Sequence, residues 1–128
     1  MDLIVKSLNR PDDMPELPKG RAHLVHMGET VVVRGELEPG WRWSNDWQPI
    51  FGTTSCQMPH TGVVLSGNFH FEMDDGQALD LGAGDVYSIP PGHDAWVVGD
   101  EPVKMIDWAP AHDLATQGAI DAGTSHDV

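Results

Sequence analysis

Short apolar runs alternate with glycine- and proline-bearing turns along most of this chain. Residues 69–73 show the pattern most cleanly: Phe69, Phe71 and Met73 fall on one face of an extended segment, His70 and Glu72 on the other. Period two over so short a span predicts a half-buried strand. Asp74-Asp75-Gly76 follows as a hairpin turn, its paired carboxylates read as turn chemistry rather than an acid–base pair. By the same reasoning strands are predicted at 22–27, 30–37, 77–81, 86–89, 95–98 and 103–108. A further strand is predicted at 56–65, bulged at Pro59, which cannot donate to a ladder.

Six to eight short strands with regular turns predict an all-β domain, a sandwich or jelly-roll barrel. Residues 1–20 read as an arm, because Pro11, Pro15 and Pro18 break any helix. The barrel occupies 21–109. Residues 110–128 form a small-residue tail with a short helix expected at 113–119 and a disordered end.

Composition narrows the function classes. A length of 128 residues suits one domain with a real core. A net charge of −13 argues against nucleic acid and against anionic membrane surfaces, and agrees with a soluble acidic protein. No apolar run approaches a membrane span, and the first twenty residues lack a signal-peptide core. The single cysteine, Cys56, excludes an intramolecular disulfide. A cytoplasmic location is expected.

Trp41, Trp43 and Trp47 crowd one connection, with Trp41 and Trp43 on a common face if it is extended. Such density either plugs a barrel end or lines a pocket. Trp41 and Trp43 are therefore candidate ligand contacts, favouring a ring-bearing or apolar molecule over a highly charged one.

The segment VVLSG followed by GDVYSIPPG resembles the paired motifs of the cupin superfamily of small jelly-roll barrels, with Gly67, Gly84, Pro90 and Gly92 at matching positions. The resemblance covers about residues 30–108. It implies a cupin barrel and a homodimer, for which the arm and Trp96 are candidate interface elements. It also implies metal positions, and here the chain departs. His60 stands in the glutamate slot, Cys56 and Thr54 in two histidine slots, Ala95 in the last histidine slot and Gly99 in the terminal asparagine slot. The three-histidine, one-glutamate set is absent.

The residues themselves offer a different set. Cys56 and His60 are four apart, so a strand would place them on one face. His93 lies two before Ala95 and shares the face of that slot. A thiolate with two imidazoles suits zinc or copper, whereas magnesium and calcium prefer oxygen.

Two functions remain open. One is a small-molecule-binding module, a sensor or regulatory domain among its roles, with His60, His93 and tryptophan lining the cavity. The other is a divalent-metal enzyme of oxygenase, isomerase or lyase type that uses Cys56, His60 and His93 as ligands. A purely structural barrel makes those three residues accidental. Cys56 with His60 as base would also make a nucleophile, but no third, orienting group is evident. His23 and His26 lie on opposite strand faces, His70 faces outward with Glu72, and His112 and His126 sit in the tail. No phosphate-cradling loop and no nucleophile elbow is present.

Overall fold

The computed structural model describes residues 2–111. Among these residues nine strands fall in chain order: β1 (Glu16–Leu17), β2 (Gly20–Met27), β3 (Thr30–Leu37), β4 (His60–Ser66), β5 (Asn68–Met73), β6 (Ala78–Leu81), β7 (Val86–Ile89), β8 (His93–Val98) and β9 (Val103–Pro110). They build two antiparallel sheets. One has six strands in the order β1-β2-β3-β9-β4-β7, the other three in the order β6-β5-β8. The expected all-β jelly roll is the observed fold. His112, His126 and the helix expected at 113–119 lie outside the described residues.

Alternation sets the layers. β5 turns Phe69 and Phe71 inward and leaves Glu72 exposed. β9 buries Val103, Met105 and Asp107, while Lys104 and Trp108 on the other face are exposed and Ile106 is half-buried. These inner faces meet with Leu37, Val64, Ile89 and Val97 in one core. Burial at this scale is worth about 1.5–3 kcal/mol per large apolar side chain. Gly67 joins β4 to β5 at φ +87°, and a Cβ there would collide with the backbone of Pro102 and Val103. The motif glycine is thus fixed by backbone conformation and close approach together.

Several boundaries differ from expectation: β2 starts at Gly20, β8 starts at His93 and β9 runs to Pro110. The strand predicted from residue 56 begins only at His60, because Gln57, Met58 and Pro59 make no ladder. The register shift expected at Pro59 lies instead between Val64 and Ser66 in the β4–β9 pair. The N-terminal segment is also partly ordered into the sheet: Asp13 bridges Leu24, and β1 pairs with β2.

The tryptophan-rich connection folds as a five-residue π turn, Trp43–Trp47, running into a short helix α1, Gln48–Phe51. Asp94 of β8 fastens it. Its carboxylate accepts from the Ser44 amide at 3.1 Å, the Ser44 hydroxyl at 2.8 Å and Arg42 Nε at 3.3 Å. Arg42 in turn lies 4.1 Å over the Trp96 ring, whose other contact is a stacked His70 at 4.2 Å. Trp96 and His70 are therefore packed against each other rather than free on the surface.

Candidate metal centre

Three elements deliver three ligand-type side chains to the barrel interior. His60 opens β4 on the inner face of the larger sheet. His93 opens β8 on the inner face of the smaller one and is 1% exposed. Cys56 precedes β4 but is tied to β8 by its backbone: its amide donates to the His93 carbonyl at 2.7 Å, and its carbonyl accepts from Gly92 at 2.8 Å. The four-residue spacing therefore predicts the right neighbours for the wrong reason. Cys56 reaches His60 through a bridge to β8, not along a shared strand.

One ligand atom from each of Cys56, His60 and His93 lies within 4.8 Å of the others. Cys56 Sγ is 3.8 Å from His60 Nε2, and the two imidazole centroids are 5.0 Å apart. Around a tetrahedral zinc, with Zn–S of about 2.3 Å and Zn–N of about 2.0–2.1 Å, sulfur and nitrogen ligands stand roughly 3.6 Å apart. Closing the set on one ion needs shifts of about an ångström or less.

Both imidazoles are already oriented for that role. His60 Nδ1 donates to Asp107 Oδ2 at 3.0 Å, and His93 Nδ1 donates to the Pro90 carbonyl at 2.8 Å. Each bond fixes the tautomer that leaves Nε2 with its lone pair, as metal-bound histidines require. The donor set fits zinc or copper, and the three-membered group contains no carboxylate.

Asp107 and Tyr87 went unrecognised in the sequence. Asp107, Gly62 and Tyr87 form one row across β9, β4 and β7. Because Gly62 has no side chain, the Tyr87 hydroxyl crosses the row and donates to Asp107 Oδ1. The available signal was the inward phase of Val103, Met105 and Asp107, which buries a carboxylate that must then find partners. Asp107 is also the orienting group found wanting for a Cys56–His60 pair.

The electrostatics follow from these contacts. Burial alone would push the Cys56 thiol up, but hydrogen bonds and positive charge from His60 and His93 outweigh it and bring the pKa down to about 6. For His60, burial opposes the charged form, yet the Asp107 carboxylate and the Cys56 sulfur raise its pKa to about 10. Without metal, the pair is a thiolate beside an imidazolium at neutral pH. Burial and the neighbouring Asp107 charge raise the Tyr87 phenol well above its ordinary value, so it stays a donor.

The cavity beside this group is mostly aromatic. Trp41, Trp43, Trp47, Phe51, Phe69 and Phe71 contribute to its wall, and about 60 Å³ is open to the centres of water-sized molecules. A second apolar space of about 90 Å³ lies between β2, β3 and the tryptophan connection, and shares Met58, His60, Met105 and Asp107 with the first. The expected Trp41 and Trp43 both face this interior, where they pack as core and line the cavity at once; each is 3% exposed. His23 and His26 are apart from it, bonded to Arg34 and Asp13.

Comparison with known proteins agrees with this architecture. The cupin domain model matches residues 56–109. No curated protein matches the chain by sequence. Among solved structures, the polyketide cyclase RemF from Streptomyces resistomycificus superposes with a TM-score of 0.59 at 15% identity, covering 85% of this chain and 80% of that one. A conserved double-stranded β-helix protein from Klebsiella pneumoniae gives 0.55 at 21% identity, with coverages of 85% and 90%. KdgF from a Halomonas species gives 0.54 at 20% identity, with 77% and 86%. At such identities the likeness speaks for the fold. By its barrel, its motif glycines and these comparisons, the chain is similar to cupin-domain proteins over residues 56–109 and shares their fold.

Proposed function

We propose that this barrel is a metal-dependent small-molecule cupin. One divalent transition-metal ion, zinc or copper by donor chemistry, is held by Cys56 Sγ and Nε2 of His60 and His93. The observation that carries the reading is the convergence of these three groups with both Nδ1 protons already engaged. Three protein ligands leave a coordination position open, the arrangement of catalytic rather than structural sites. An ion so held supplies Lewis acidity and lowers the pKa of a bound water toward neutrality. The chain's own residues do the rest. Asp107 holds the His60 proton and Tyr87 holds Asp107, while the aromatic wall excludes bulk water and receives the apolar part of the ligand.

Elemental analysis of protein purified without chelator tests this. One zinc or copper per chain is expected, lost in Cys56→Ala and His60→Ala. Protein that remains metal-free when offered either ion refutes the metal reading, and a cavity that still binds small molecules then leaves the binding module.

A second reading rests on the sequence Cys56 Sγ, His60 Nε2, Asp107 Oδ2 at 3.8 Å and 3.0 Å. Without metal these are nucleophile, base and orienting group of a thiol-based site. Rapid stoichiometric alkylation of Cys56 by iodoacetamide in metal-free protein, abolished by bound zinc, separates the two states.

A further inference from the structure

Two apolar spaces share one wall. Trp47, Phe51, Met58, His60, Met105 and Asp107 line both the inner cavity of about 60 Å³ and the second space of about 90 Å³ beside it. Protein interiors are packed as densely as organic crystals, and the lining of an unfilled apolar space loses contacts outright. Two such spaces side by side at the candidate metal centre therefore call for an occupant. Gly35 helps to keep the second one open. It is buried on β3 opposite Met105 of β9, and a Cβ there would stand 2.7 Å from Met105 Cε and 3.3 Å from its Sδ. The Met105 thioether thus lies across the place that any larger residue at 35 would fill. Met58 packs against both hydrophobic clusters, the barrel core and the smaller one around Leu24 and Val31. Both methionines are unbranched and flexible, so an entering chain can turn them aside without moving the backbone.

We infer that the second space is the tail compartment of the ligand site, and that Gly35 sets the length of ligand it accepts. The ligand is an elongated molecule. Its head sits in the inner cavity with Cys56, His60 and His93, and an unbranched apolar chain runs past Met58 and Met105 into the space walled by Leu24, Val33 and Gly35. The inference rests on the small-molecule reading of the inner cavity, and it names the substrate class. Size follows from the space. Since roughly 10–15 Å³ of such volume admits one water, the inner cavity takes about four to six heavy atoms and the second space about six to nine more. A straight-chain carboxylate of about eight carbons occupies both, whereas butyrate fills the inner cavity alone. The Trp47 and Phe51 rings bound the crossing, which favours a chain over a ring there.

Titration of the full chain, carbon-13-labelled at its methyl groups, with butyrate, hexanoate and octanoate tests this in metal-free and zinc-loaded protein. Affinity is expected to rise about three- to fourfold per added methylene from butyrate to octanoate, the worth of burying each one. The Leu37 and Ala95 methyl resonances, in the inner wall, respond to every member of the series. Those of Leu24 and Val33, in the second wall, respond only to the longer chains. Gly35→Val is expected to bind butyrate within twofold of the parent and to lose the gain toward octanoate. If that variant fails to fold, Gly35→Ala takes its place, with the wild-type methyl shifts as the second readout. Affinity that stops rising at butyrate overturns the inference. So do Leu24 and Val33 methyls unmoved at octanoate saturation, a folded Gly35→Val protein that keeps the full gain, or failure of every member to bind. Zinc uptake without chain-length dependence defeats this inference alone; chain-length dependence in protein that takes up no zinc defeats only the metal reading.

Discussion

Replacing Asp107 by asparagine removes one charge and little volume, so it isolates what that carboxylate does. In the native site, Oδ2 accepts from His60 Nδ1 at 3.0 Å and Oδ1 accepts from the Tyr87 hydroxyl. An asparagine has one acceptor oxygen. If it faces Tyr87, the amide NH₂ faces His60 Nδ1, and His60 must turn its proton to Nε2, the ligand position. If it faces His60, the Tyr87 hydroxyl meets an N–H₂ group instead of an acceptor. The first outcome blocks the metal directly. Loss of such outer partners costs about 10–100-fold in metal affinity, equivalent to about 1.4–2.7 kcal/mol. Competition of zinc between the protein and a chromophoric chelator measures it. The same variant, metal-free, loses the charge that raises His60, so the Cys56 thiol titrates higher, as followed by thiolate absorbance near 240 nm. A folded Asp107→Asn protein with zinc affinity within twofold of the parent refutes the reasoning.

Further outcomes follow from the same geometry. Gly62→Ala places a Cβ 2.5 Å from Asp107 Oδ1 and 2.8 Å from the Tyr87 hydroxyl, against the Ile106 carbonyl; denaturant melts should show a loss of about 1–3 kcal/mol, with zinc affinity falling too. Metal-free protein should show a thiolate step near pH 6 rather than 9, and His60→Gln should move it upward. Stability should track this pair. The lowered Cys56 pKa adds stability that is full above about 9 and is lost as pH falls through about 6, whereas the raised His60 pKa adds stability that is full below about 6.5 and is lost as pH rises through about 10. The ion pair therefore stands between about pH 6 and 10, and melts across that range should weaken at both ends. Zinc binding at pH 7.5 should release about one proton, because the Cys56 thiol has already lost its proton while the His60 imidazolium still carries the one that metal displaces; calorimetry in buffers of different ionisation enthalpy reads this number.

Much of the fold was legible because period-two alternation and turn glycines are local signals. The prediction for β3 matched to the residue, and β5 matched in both faces. Irregular backbone was harder. Cys56 binds into the site through a single bridge to His93, a long-range pairing that four-residue spacing cannot encode. The convergence of Cys56, His60 and His93 was correctly anticipated, while Asp107 was missed. Its partners come from strands distant in sequence, and only the inward phase of β9 hinted that a carboxylate was buried there. The roles of Trp41 and Trp43 were left between plug and pocket, and the folded segment does both, because a π turn bends the connection into the barrel.

X-ray absorption at the zinc edge of the loaded protein reads the first coordination sphere most directly. One sulfur near 2.3 Å, two imidazole nitrogens near 2.0–2.1 Å and at least one further light atom are expected, with the sulfur replaced by a light scatterer in Cys56→Ser. A sphere of oxygens alone, or one unchanged by that substitution, would contradict the assignment of Cys56, His60 and His93 to a single ion.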